Sequence, residues 1–309
     1  LGGSAMSVTV EEVELLSHGI TLRAGVYVSA NPALQGARGL PCIVMGHGLG
    51  GTRAAGLEPF ARHFAAAGFC VVCFDYRGFG LSDGEPRQLV DIRMQLDDWH
   101  ATLHYVRSRS DIDPTRIGLW GSSFSGGHVV AVAVEDGDVA AVSAQGAMLD
   151  GLATFRHLLR QNGWAAVLNL SRQASLDALR GTLGAKRMTW PVVGAPGSQA
   201  ILTTPDSLSG YLAIAPPDWV NAITLSWTLT LPFYRPNRMA ARLNCPVLIC
   251  ITELDAVVPP AAMEDAACQA GDKAEVKRYP CRHFEIYVGD GFRQVVADQT
   301  GFFTRHLAS

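Results

Sequence analysis

The sequence predicts an α/β fold with a mostly parallel central sheet, helices on both of its faces and an inserted helical cap. Three observations carry this. Short apolar runs alternate with longer amphipathic runs between residues 41 and 143. That is the pattern of strand–helix units whose strands pair in parallel and are buried on both faces. The alternation stops near Ala147 and resumes at Val247. The stretch between instead carries Trp164, Trp190, Trp219 and Trp227, Pro216-Pro217 and several glycines. The expected organisation is a core from 6–146, a cap from 147–236 and the rest of the core from 237–309.

The elements follow in order. Residues 8–15 and 20–28 are β-rich, with His18-Gly19 as the turn of an antiparallel pair. Residues 41–45 read as a short buried strand ending in His47-Gly48-Leu49-Gly50-Gly51, and 57–67 as a helix. A strand at 69–74 closes in Asp75-Tyr76-Arg77-Gly78-Phe79-Gly80, before a long amphipathic helix at 89–107. Asp113-Pro114 is a break. A strand at 116–120, a helix at 125–134 and a strand at 139–143 follow. Beyond the cap come a strand at 247–252, a helix at 260–270, a strand at 274–279 and a closing helix from 292 to 306.

Composition narrows the function. With 48% hydrophobic and 17% charged residues, the chain can bury a large core and is not a disordered tail. Its net charge of −3 offers no basic surplus to neutralise phosphates. Nucleic acid is therefore not an expected partner, and the substrate is expected to be neutral or weakly charged. The seven cysteines are odd in number, and several sit in apolar runs, so they read as core residues in a reducing compartment. Cys70 and Cys73 lie on a strand-like run that sends them to opposite faces, which suits neither a metal pair nor a redox pair. Residues 1–5 read as an expression remnant before a native Met6. No secretory signal is seen, and no apolar run is long enough to span a membrane. A cytoplasmic protein without a membrane partner is the expectation.

The chemistry centres on Gly118-Leu119-Trp120-Gly121-Ser122-Ser123-Phe124-Ser125-Gly126-Gly127, between a predicted strand and a predicted helix. A sharp turn there leaves one side chain strained and exposed, and it needs small neighbours. Ser123 has Gly121 two residues before it and Ser125 two after it, on a turn entered straight from the strand. Ser122 and Ser125 are its rivals, and a helix-capping serine is the competing structural role. The segment resembles the nucleophile elbow G-x-S-x-G of the α/β-hydrolase family. It departs from the pattern at Ser125, where Gly is usual, although Gly126 and Gly127 follow at once.

A serine hydroxyl needs a base, and the base needs an orienting acid. The resemblance implies the chain order serine, acid, histidine. Asp255 lies in Thr252-Glu253-Leu254-Asp255-Ala256-Val257-Val258-Pro259, which resembles the family's acid loop; Glu253 is its rival. His283 lies in Tyr279-Pro280-Cys281-Arg282-His283-Phe284-Glu285, which resembles the histidine loop before the last helix. His100 and His104 are spaced like a zinc pair, but they lack a third ligand and the accompanying Glu, so no metal and no cofactor are expected. The resemblance also implies an oxyanion hole from the backbone N–H groups of Phe124 and Leu49.

These matches imply a serine esterase that forms an acyl-enzyme on a small-molecule ester or lactone. A serine nucleophile separates the chain from the dehalogenases and epoxide hydrolases of this fold, which attack with Asp. The layout resembles dienelactone-hydrolase-like and X-Pro-peptidase-like esterases. It is also similar to the serine-dependent macrolide esterases, which inactivate antibiotics by opening their lactone ring. Leu49, Phe124, Trp164, Trp219 and Trp227 are the candidate substrate-binding residues, lining a roomy apolar pocket over Ser123. Packing of the cap onto the core is the competing use of these aromatics. A small-ester carboxylesterase, a thioesterase, a peptidase, an acyltransferase and a binding module without chemistry are the alternatives.

Overall fold

A computed structural model describes residues 7–30 and 32–308; the expected N-terminal remnant and Met6 lie outside them. A hairpin opens the chain, with β1 (Val8–Ser17) antiparallel to β2 (Ile20–Ser29). Its two turn residues, His18 and Gly19, both have positive φ, which matches the right-handed twist of the strands. Then come β3 (Leu40–Gly46), α1 (Glu58–Ala66), β4 (Cys70–Phe74), α2 (Ile92–Ser108), β5 (Ile112–Ser122), α3 (Phe124–Asp136) and β6 (Ala141–Gln145). Between β6 and the next core strand come α4 (Gly151–Thr182), β7 (Thr189–Trp190), α5 (Ser207–Leu212), β8 (Ile223–Thr224) and three short 3-10 turns. The core resumes with β9 (Val247–Thr252), α6 (Pro260–Ala270), β10 (Ala274–Tyr279) and α7 (Gly289–Leu307).

Eight strands form one sheet in the order β1-β2-β4-β3-β5-β6-β9-β10. The β1–β2 and β2–β4 pairs are antiparallel and all the others are parallel. Every residue of β3, β4, β6 and β9 is buried, as expected for strands that read as unbroken apolar runs. Alternate side chains feed two cores on opposite faces of the sheet. Cys70 and Val72 point to one, Val71 and Cys73 to the other.

Two boundaries differ from expectation for clear local reasons. The second helix starts at Ile92, not 89, because the Asp91 side chain caps it by accepting from Met94 N at 3.0 Å. β5 begins at Ile112, not 116. Leu40 pairs with Ile112 before Cys42 pairs with Ile117, so Asp113-Pro114 is an irregularity within the strand and not its end. The last of these 3-10 turns, Pro236–Arg242, packs on α3 and α6. On that packing we propose that the cap ends at 236, with the core divided at 146 and 237.

Candidate active site

The turn from β5 into α3 holds Ser123 at φ 57°, ψ −118°, a region that non-glycine residues adopt only under constraint, at a cost of about 1–3 kcal/mol. The surroundings supply the constraint. Ser123 N donates to Gln145 O at 2.9 Å, and Ser123 O accepts from Gly126 N at 3.0 Å and Met148 N at 2.9 Å. A side chain at Gly121 would collide with the Ser125 carbonyl.

The rival serines face elsewhere. Ser122 Oγ lies 2.6 Å from Tyr287 Oη and accepts from Gln145 Nε2 at 3.1 Å. Ser125 is fully buried, and its hydroxyl bonds to Tyr76 Oη, which in turn accepts from Trp99 Nε1. This inward bond explains how a serine occupies a position where the elbow pattern has glycine.

The structure brings Ser123, His283 and Asp255 together. Ser123 Oγ is 3.0 Å from His283 Nε2, and His283 Nδ1 is 2.7 Å from Asp255 Oδ2. Both partners are buried, whereas Glu253 is exposed. Asp255 Oδ2 also accepts from Thr252 Oγ1 at 2.6 Å, and Oδ1 from Val257 N and Val258 N at 2.8 Å each. Burial alone would raise the carboxyl's pKa. The charge of His283 and the bonds from His283, Thr252 and Val258 outweigh it and hold Asp255 below the ordinary carboxylate range. An ionised Asp255 keeps the proton on Nδ1 and leaves Nε2 free to accept from Ser123 Oγ.

The loop after β3 brings Gly48 against Ser123, where a Cβ would sit 3.1 Å from the serine's own Cβ. Among the described residues, neither Leu49 N–H nor Phe124 N–H donates to a backbone carbonyl. Phe124 is the first residue of α3, at the positive end of its dipole. Two cap side chains hold this loop from behind. Tyr211 Oη donates to Leu49 O at 2.9 Å and Trp219 Nε1 to Gly50 O at 2.8 Å, with the two rings stacked at 4.4 Å. Burial pushes the Tyr211 phenol far above its usual pKa, so it stays a donor. Sequence reasoning missed Tyr211, because its partner lies 162 residues away and no local pattern marks the contact.

The roomy apolar pocket expected over Ser123 is absent among the described residues. The crevice there has a volume of about 20 Å³, room for roughly one water. Leu202, Tyr211, Ile214 and Phe284 line it together with Ser123 and His283. Trp164 does not line it and lies exposed on the cap. Trp227 is buried behind Phe124, with ring centroids 5.4 Å apart and its Nε1 donating to Thr224 O. Trp219 lines a separate groove of about 610 Å³ on the far side of the glycine-rich loop. Of the nominated substrate-binding residues, Leu49 lines the crevice beside Ser123, whereas Phe124 and the three tryptophans do not.

His100 Nε2 contacts Glu135 at 3.0 Å and His104 is exposed. Among the described residues no group of three metal-ligating side chains occurs, and no helix is long and apolar enough to cross a membrane. All seven cysteines are free thiols.

A family model described as alpha/beta hydrolase fold matches residues 41–290. The quorum-quenching protein AidA of Acinetobacter baumannii is 42% identical over 267 residues, covering 86% of this chain and 86% of that protein. Thiohydrolase aneE of Aspergillus aculeatus is 32% identical over 171 residues, covering 55% of this chain and 51% of that protein. The crystal structure of alpha/beta hydrolase GrgF from Penicillium sp. sh18 superposes with a TM-score of 0.77 at 22% identity, covering 98% of this chain and 100% of the other.

Proposed function

The chain belongs to the α/β-hydrolase fold family, and on that premise we propose that it is a serine hydrolase that cleaves a small-molecule carboxylic ester through an acyl-enzyme. One observation carries this reading: the buried run of contacts from Ser123 Oγ to His283 at 3.0 Å and from His283 to Asp255 at 2.7 Å. Ser123 Oγ attacks the ester carbonyl while His283 Nε2 takes its proton. Asp255 stabilises the imidazolium, and the N–H groups of Leu49 and Phe124 donate to the oxyanion. The tetrahedral adduct collapses, and the leaving alkoxide takes the proton from Nε2. Water, activated by the same histidine, then releases the acid.

The crevice shapes the substrate reading. About 20 Å³ beside Ser123 holds no acyl or lactone group as it stands, so the cap must shift for any substrate, and least for a narrow one. The name of the Acinetobacter relative, a quorum-quenching protein, supports a small signalling molecule carrying such a group. A macrolide esterase is the weaker form of the proposal, since a macrocycle requires the cap to open furthest. A second reading is thioester cleavage or acyl transfer. One relative is named a thiohydrolase, which supports it.

The test is a mass-spectrometric screen of oxygen esters, thioesters, small acyl lactones and 16-membered macrolides, with wild type and Ser123→Ala. Lactone opening adds about 18 Da and leaves one product, because the acyl and alcohol halves stay joined. Ester or lactone turnover by wild type alone supports the proposal. Turnover restricted to thioesters favours the second reading, and equal turnover by both proteins overturns the role of Ser123.

A further inference from the structure

α4 bends at Gly163, whose φ of 77° and ψ of 169° are not helical. The segment after the bend lies on the outside of the cap. Its inner face is seated: Val167 and Ala174 are buried, and Asp177 is buried among Arg187 and the N–H groups of Met188, Leu225 and Ser226. The outer face of such a helix is normally polar. Here it presents Trp164, Leu168, Leu176, Leu179 and Leu183, each between 41% and 73% exposed. At 3.6 residues per turn these five fall within an arc of about 120°. The charges around them have one sign. Arg160, Arg172, Arg180 and Lys186 are exposed, and the single carboxylate between 151 and 188 is the buried Asp177. This basic, apolar face sits on a chain whose net charge is −3.

We infer that this face docks on an anionic lipid surface. Exposed leucines and a tryptophan flanked by arginines match the acyl–headgroup boundary, where apolar groups leave water and guanidinium groups meet phosphates. A second copy of the chain is the poorer occupant, since a two-fold pairing would set Arg172 and Arg180 against like charges with no exposed carboxylate to answer them. The helix would lie flat on the bilayer. The expectation of no membrane partner rested on the lack of a spanning segment, which leaves this mode untouched.

The full chain should co-sediment with vesicles of equimolar phosphatidylglycerol and phosphatidylcholine, and about tenfold less with phosphatidylcholine alone. Tryptophan emission should shift to the blue on binding, and Trp164→Phe should remove most of that shift. Arg172→Gln and Arg180→Gln should each weaken partitioning about fivefold, and Leu168→Ser with Leu179→Ser should weaken it further. These side chains are exposed, and unchanged circular dichroism checks that the variants fold. Ser123→Ala should bind as wild type does, so failure here is separate from failure of the proposed chemistry. No partitioning at low salt, equal binding to neutral vesicles, or a dimer that shields Trp164 from acrylamide quenching would overturn the inference.

Discussion

Replacing Asp255 with Asn changes one atom, and the surrounding bonds dictate where that atom goes. Oδ1 accepts from two backbone donors, Val257 N and Val258 N, at 2.8 Å each. Neither can reverse its role, so the amide oxygen of Asn must stay there and its NH₂ must face His283. His283 Nδ1 then has to accept, which moves the ring proton to Nε2. That nitrogen lies 3.0 Å from Ser123 Oγ and can no longer take the serine's proton. The loss expected for a wrong tautomer is about 10³–10⁴-fold in kcat, or about 4–5.5 kcal/mol. Asp255→Ala enforces neither tautomer and should be the less damaged of the two. The assay is steady-state hydrolysis of an activated ester by both variants, with Glu253→Gln as a control that retains activity. An Asp255→Asn enzyme within tenfold of wild type, or one more active than Asp255→Ala, would refute this reasoning.

Other consequences are equally specific. Tyr211→Phe removes the hydroxyl that donates to Leu49 O, so kcat should fall about tenfold with KM little changed; rapid-mixing or steady-state kinetics separate the two. Asp177→Ala strips partners from Arg187 and from three backbone N–H groups, and chemical denaturation should show a loss of about 3–5 kcal/mol. Burial opposes the ionised form of Asp177, yet the Arg187 and backbone bonds lower its pKa from 3.8 to about 2. Its contribution is therefore whole above pH 3.8 and lost as pH falls towards 2. His128 is buried between Tyr234 and Gln95, and desolvation, helped by His47, lowers its pKa from 6.5 to about 3. The unfolded chain takes up that proton first, so stability should drop by about 2 kcal/mol between pH 7 and pH 5 from this group alone. His128→Asn, less stable at neutral pH, should show a correspondingly smaller drop.

Much of the architecture is legible because each local signal agrees with the global one. β9, α6 and β10 are bounded by turns and prolines, and their limits, Val247–Thr252, Pro260–Ala270 and Ala274–Tyr279, coincide with the sequence reading. Ser123, Asp255 and His283 could be nominated because each follows a strand, where the backbone turns and side chains are presented at one end of the sheet. The cap is harder. Its aromatics carry no period that tells a packed ring from a pocket wall, so Trp164, Trp219 and Trp227 are indistinguishable in sequence although they occupy a surface, a loop brace and a buried edge-to-face contact. The local pattern singles out Ser123, but the distant partners that engage its rivals, Tyr287 for Ser122 and Tyr76 for Ser125, are revealed by no local pattern.

The central claim is that Ser123 is the nucleophile, and active-site phosphonylation tests it most directly. Wild type, Ser122→Ala, Ser123→Ala and Ser125→Ala would be treated with a fluorophosphonate, digested and mapped by tandem mass spectrometry. A strained serine paired with a buried histidine should be the single modified residue. Wild type, Ser122→Ala and Ser125→Ala should then carry one adduct on Ser123, while Ser123→Ala carries none. An adduct on Ser122 or Ser125, or turnover of an ester by a wild-type protein that the reagent leaves untouched, would contradict the account.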